Sequence, residues 1–155
     1  MNHDRRVFTL EEANSTLPFV RCVVKDIVGT HKRISELYGL WRRSVDDGHQ
    51  SSADELERNI RELLDAKDHF LGELDQVGCE FKDLQQGLVD FPARLDNRVV
   101  YLCWRLGEPE VRFWHEITAG FSGRRSIDGC FALDGIRALC EAAEGRVDGD
   151  AKEKS

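Results

Sequence analysis

Two heptad seams of similar length, separated by one short turn, constrain this chain more than any other feature. In the first, Val20, Val24, Ile27, His31, Ile34, Tyr38, Trp41 and Val45 follow one another in alternating steps of four and three. In the second, Leu56, Ile60, Leu63, Lys67, Phe70, Leu74 and Val77 do the same. Such steps keep all the named side chains on one stripe of an α-helix. Asp46-Asp47-Gly48 supplies a stop and a turn between them, and Gly78 ends the second segment. Each helix is roughly 40 Å long at about 1.5 Å rise per residue. The spacing predicts a long antiparallel two-helix coiled-coil hairpin that pairs Val45 with Leu56, Trp41 with Ile60, His31 with Phe70 and Ile27 with Leu74.

Local signals mark the ends. Thr9 and Glu12 form a capping box that opens a short helix over Leu10 to Ser15. Pro18 lacks an amide hydrogen and its ring clashes with the preceding turn, so the chain is expected to break near Thr16-Leu17 and restart at Pro18. Ser52 with Glu55 reads as a second capping box.

After Gly78 the period shifts toward two. Val89-Asp90-Phe91 leads through Pro92 to a turn at Leu95-Asp96-Asn97. Arg98 to Trp104 is rich in β-branched and aromatic residues and reads as a strand, followed by a second strand over Glu110 to Ile117. The predicted fold class is α+β: the hairpin packed with a small three-stranded antiparallel meander, with short extra helices at both ends, the last over Asp134 to Ala143. One domain is expected over residues 1–144, divided into a helical part (9–78), a β part (79–128) and a C-terminal extension (129–144). Residues 145–155 read as a polar tail.

Composition narrows the function. Among 155 residues, 29 acidic and 22 basic side chains give a net charge of -7, which disfavours a nucleic-acid partner. No apolar run approaches the roughly 20 residues that cross a bilayer, and no secretory h-region follows the N-terminus, so a cytoplasmic protein without a membrane partner is expected. The five cysteines, Cys22, Cys79, Cys103, Cys130 and Cys140, are odd in number and never form CxxC, so they read as reduced thiols that fill core space.

Chemistry-bearing residues concentrate between positions 90 and 124. His115-Glu116 lies in a strand and is not the helical HExxH signature, because position 119 is Ala119. Strand alternation separates His115 from Glu116, so a single ion does not readily take both. Cys103 and His115 fall on one face or on opposite faces depending on hairpin register. On one face they supply two metal ligands, with Asp90 as a third. A satisfied structural histidine is the main reading of His115, and no cofactor is the main expectation. Asp90 with Glu108 also suggests a carboxylate pair. The Gly120-Phe121-Ser122-Gly123-Arg124-Arg125 loop suggests an anion cradle. His31 and Lys67, on the seams, read as structural.

Several of these segments carry a resemblance. Gly87 through Pro92, Val100 through Trp104, Gly107-Glu108, Phe113-Trp114-His115-Glu116 and Gly120 through Arg124 together resemble the prokaryotic family known as domain of unknown function 2203. The opening Phe8 through Asn14, followed by Leu17-Pro18, is similar as well. The likeness covers roughly residues 7 to 128, and Asn97 stands where the family often has glycine. It implies a bacterial cytosolic protein and brings no activity, substrate or cofactor with it. The expected function is therefore a non-catalytic binding or assembly module, a homodimer through the hairpin. The alternative is a small enzyme or a ligand- or metal-binding protein. Its pocket would lie at the helix–sheet junction, lined by Asp90, Trp104, Glu108, Trp114, His115 and Arg124.

Overall fold

The computed structural model describes residues 6–128. Helix α1 runs over Leu10–Asp46 behind the expected capping box, with Glu12 N–H donating to Thr9 Oγ1 and Thr9 N–H to Glu12 Oε1, both at 3.0 Å. The break expected at Thr16-Leu17 is absent: α1 passes through Pro18 without interruption. Pro18 sits on the exposed side, while Ala13, Leu17, Val20, Val24 and Ile27 are buried on the other. Each fully buried Leu, Val or Ile contributes roughly 1.5–3 kcal/mol, so together they outweigh the roughly 3 kcal/mol cost of one internal proline. The short N-terminal helix is thus the first turns of α1. The C-terminal helix, extension and polar tail fall outside the described residues.

Helix α2 spans Gln50–Val77 and ends at Gly78, whose φ of 104° is the left-handed conformation that glycine adopts without strain. Its start corrects the second capping box. His49 is the N-cap, Ser52 and Glu55 lie inside the helix, and Ala53 N–H already donates to His49 O at 3.0 Å. Starting earlier shortens the connection and brings the small Ala53 into a buried position within the hairpin.

The β part is a five-stranded antiparallel sheet in the order β1-β2-β3-β4-β5, not a three-stranded meander. The strands are β1 Glu80–Asp83, β2 Leu88–Leu95, β3 Arg98–Arg105, β4 Phe113–Glu116 and β5 Arg125–Ser126. The added strands sit at the two edges. With four and two residues, they are too short to show a hydrophobic period. The expected Glu110–Ile117 strand narrows to β4, because Val111 leaves the sheet line. Its N–H donates to Asn14 Oδ1 of α1 at 2.7 Å.

Asp96 and Asn97, with φ of 51° and 66°, form the two-residue turn between β2 and β3. Positive φ at both positions is the primed turn whose twist suits a hairpin. Pro92 is tolerated within β2 because its edge meets the N-terminal segment, Phe8 N–H donating to Pro92 O at 2.7 Å, so no strand ladder needs its missing hydrogen.

One face of the sheet packs on the helices. Val89, Phe91, Ala93, Val100, Leu102, Trp104 and Trp114 join Leu17, Val20, Val24, Ile27 and Leu74 in a single apolar cluster. Only the root of the hairpin enters it. Farther out the expected seam is only partly followed: Ile34 and Trp41 are half-buried and Leu37 is buried, while Tyr38 and Val45 are 50% and 44% exposed.

Candidate metal centre

The β2–β3–β4 register decides what shares the other face. Asp90 lies opposite Cys103, Cys103 opposite Phe113, and Tyr101 opposite His115. With side chains alternating along each strand, Asp90, Tyr101, Cys103, Phe113 and His115 all project away from the helices. Cys103 and His115 therefore fall on one face as diagonal neighbours, and Asp90 reaches them from the adjoining strand. The ligand atoms of Asp90, Cys103 and His115 lie within 4.8 Å of one another, with residue exposures of 3%, 1% and 2%.

Hydrogen bonding in this cluster is centred on the Asp90 carboxylate. His115 Nδ1 is 2.7 Å from the carbonyl oxygen of Glu116, which only accepts, so Nδ1 carries a proton and donates it. A neutral ring then presents the lone pair of Nε2 toward Asp90 Oδ2 at 3.1 Å. Two electron-rich atoms at that distance require a cation between them, either a shared proton or a metal ion. Asp90 Oδ1 is buried and has no hydrogen-bond partner, so the carboxylate retains accepting capacity. Burial first, and then the charge of Asp90, push the Cys103 thiol up to about 12, while Arg124 acts in the opposite direction. Without a cation Cys103 is an inert thiol rather than a nucleophile. A coordinating metal removes that proton.

The other expected site residues are distributed differently. Trp104 and Trp114 belong to the apolar cluster on the helix side, and Trp104 Nε1 donates to Glu108 O at 2.9 Å. Glu108 does not pair with Asp90. It accepts two bonds from Arg124, at 2.7 and 2.8 Å, and one from the Arg105 amide at 2.9 Å. Burial alone would raise the Glu108 carboxyl, but Arg124 and the Arg105 amide more than offset this and hold it below the usual range. Arg124 also donates to Cys103 O at 3.1 Å and lies over the rings of Phe113 and Phe121. It is engaged by protein groups rather than held for an anion in its loop.

A cavity of about 110 Å³ adjoins the Asp90–Cys103–His115 cluster, with Lys82, Leu88, Ile117 and Phe121 among its walls. It lies on the sheet face away from the helices, not at the helix–sheet junction. Lys82 was not foreseen as a site residue, and Phe121 was named only as part of the loop read as an anion cradle. Lys82 is on the edge strand that periodicity missed, and Phe121 lies in a loop with no pattern to place it. A larger hollow of about 350 Å³ at the end of α2, lined by Arg6, Asp75 and Glu80 among others, contains no such ligand set. Nor does any described trio form around His31 or His69.

This cluster overturns the expectation of a purely non-catalytic assembly module. Assembly gives no reason to bury a carboxylate, a thiol and an imidazole together, whereas the ligand- or metal-binding alternative does. The family model described as "Uncharacterized conserved protein (DUF2203)" matches residues 6–127. No curated protein and no solved structure matches the chain.

Proposed function

We propose that this chain, which belongs to the DUF2203 family, is a metal-binding protein. Its ligands are Asp90, Cys103 Sγ and His115 Nε2. The observation that carries this reading is the contact between His115 Nε2 and Asp90 Oδ2 at 3.1 Å, with Nδ1 committed to a backbone carbonyl. That second-nitrogen hydrogen bond is how metal-binding histidines are oriented. One thiolate, one imidazole and one carboxylate suit a divalent ion of the zinc class. Around tetrahedral zinc the ligand atoms stand about 3.3–3.8 Å apart, so closure of the trio by about 1 Å suffices. Three protein ligands leave one tetrahedral position, which the cavity makes accessible to a small molecule. A metal there supplies Lewis acidity, while the chain supplies orientation through Glu116 O and a dry wall through Phe121 and Leu88. A reducing cytoplasm suits a ligand thiol of this kind, and the three described cysteines are free.

Elemental analysis of untagged protein from zinc-supplemented growth tests the reading. About one zinc per chain is expected after dialysis, falling below about a tenth in His115→Ala and Cys103→Ala. Wild-type protein as metal-poor as those variants would reject it.

A second reading concerns assembly of the same molecule. Tyr38, Leu40, Val45 and Leu64 are exposed apolar side chains on the outer hairpin, and we propose that they meet in a homodimer. No helix among the described residues is long and apolar enough to cross a membrane. Sedimentation equilibrium should give twice the chain mass for the unaltered chain, and the single-chain mass for Leu40→Glu combined with Leu64→Glu. An unaltered chain that stays monomeric would remove this reading.

A further inference from the structure

Among the described residues that line the cavity, Lys82 alone carries a fixed positive charge. A β-bulge places it there. Phe81 pairs with Val89 and Asp83 with Leu88, which leaves Lys82 without a partner on β2. Such an extra residue bends the strand and re-aims its side chain. Lys82 Nζ stands 3.4 Å from both Asp90 Oδ2 and Glu80 Oε1, and 4.3 Å from the centre of the Tyr101 ring. The Tyr101 hydroxyl donates to the Glu80 carboxylate at 3.0 Å, which ties the Glu80 end of this arrangement to β3. Two carboxylate oxygens and a ring face around Nζ are contacts that suit an ammonium.

Charge and volume together describe what the site would accept. A divalent ion held by one carboxylate, one thiolate and one neutral imidazole is electrically balanced. Lys82 then adds positive charge at the cavity wall, close to a ligand oxygen, and Glu80, its counter-charge, is not among the cavity-lining residues. The space of about 110 Å³ exceeds the roughly 10–15 Å³ that one water needs, so it admits several waters or a small anion. Leu88, Ile117 and Phe121 supply apolar walls beside the ammonium. From the bulge, the ammonium and the size of the cavity, the geometry points to a small carboxylate-type anion, of acetate or bicarbonate size, as the ligand that completes the metal site beside Lys82.

This inference rests on the metal reading and is tested on the full chain loaded with cobalt(II), whose visible absorption reports its coordination. Cobalt content is measured first, and the loaded protein is then titrated with acetate, with neutral acetamide and with benzoate. Acetate should shift the cobalt bands saturably, at a concentration at least about tenfold below that of acetamide, and benzoate should not. Lys82→Met should bind the same amount of cobalt and lose the preference for acetate over acetamide, and Lys82→Arg should restore it. Bound cobalt with equal response to acetate and acetamide, or an unchanged preference in Lys82→Met, overturns the anion inference alone. Wild-type protein that takes up no cobalt at the trio overturns the metal reading and this inference with it.

Discussion

Along β3, Val100, Leu102 and Trp104 point into the apolar cluster under α1, whereas Tyr101 and Cys103 point to the face that also carries Asp90 and His115. Both faces are buried at the centre of the sheet, yet they bury different things. The helix side is filled by hydrocarbon and indole, and Trp104, a polar member, finds an acceptor in Glu108 O. The outer side encloses a carboxylate oxygen and a guanidinium nitrogen, Asp90 Oδ1 and Arg124 Nε, that find no partner. A buried polar atom left without a partner costs roughly 1–3 kcal/mol. One face is therefore packed for stability, and the other carries a local cost of unpartnered polar atoms.

The largest test of that contrast is on the helix side. Phe91 is fully buried and meets Phe8 edge-on with ring centres 5.1 Å apart. Phe91→Ala should destabilise the protein by about 3–5 kcal/mol in urea melts. Asp90→Ala in metal-free protein should cost clearly less, because it removes a charge that is only partly satisfied. If the two variants lose equal stability without metal, the division between the faces fails.

Metal linkage should come next in size. Zinc at about a hundredfold excess over its dissociation constant should stabilise the wild type by about 2.7 kcal/mol, read as a rise in melting temperature, and leave Cys103→Ala and Asp90→Ala unmoved. Phe91→Ala, if it still folds, should keep the response, since it lies on the other face. A zinc response in Cys103→Ala as large as in the wild type would show that binding occurs elsewhere.

A smaller effect should mark the ion pair that borders the outer face. Glu108 has a folded-state pKa below its ordinary value of 4.5, so its contribution is complete above that pH and is lost as pH falls through the lower folded value. Thermal melts from neutral to acidic pH should show this loss in the wild type, and Glu108→Gln should flatten it while costing about 1–2 kcal/mol at neutral pH. The reverse slope, with stability rising on acidification, would contradict the pairing with Arg124. The smallest effect should come from a position on neither face. Arg61→Ala removes an exposed pair with Glu57 at 2.9 Å and should change stability by under about 0.5 kcal/mol.

Asp90, Cys103 and His115, the proposed ligands, were each visible in the sequence, but their convergence was not. Whether Cys103 and His115 share a face depends on the β3–β4 register, and a slip of one residue would have turned His115 into the apolar cluster. Trp104 and Trp114 appeared to belong with the site because they are close in sequence. Alternation sends them to the opposite face, since each is one residue from a group that points outward. Lys82 gave no signal at all, because a bulge on a four-residue edge strand leaves no periodic trace. Pro18 misled in the opposite direction. Its local cost is real, and the burial that overrides it comes from strands far along the chain.

The sequence by itself determined the main features of the helical hairpin: the capping box at Thr9, the turn at Asp47-Gly48, the end at Gly78 and the inward side of the first half of α1. Capping, left-handed glycine and helical spacing act between residues a few positions apart, so their physics is complete within a short window. Farther along α1 the buried position is Leu37, and Tyr38 and Val45, expected on the seam, stay in solvent. The site was wholly a tertiary outcome. Asp90 and His115 are 25 residues apart and stand on strands separated by β3, so their contact follows only when two hairpin registers are both set. Those registers depend on which side chains the helices can bury. The packing of one face of the sheet therefore decides what the other brings together.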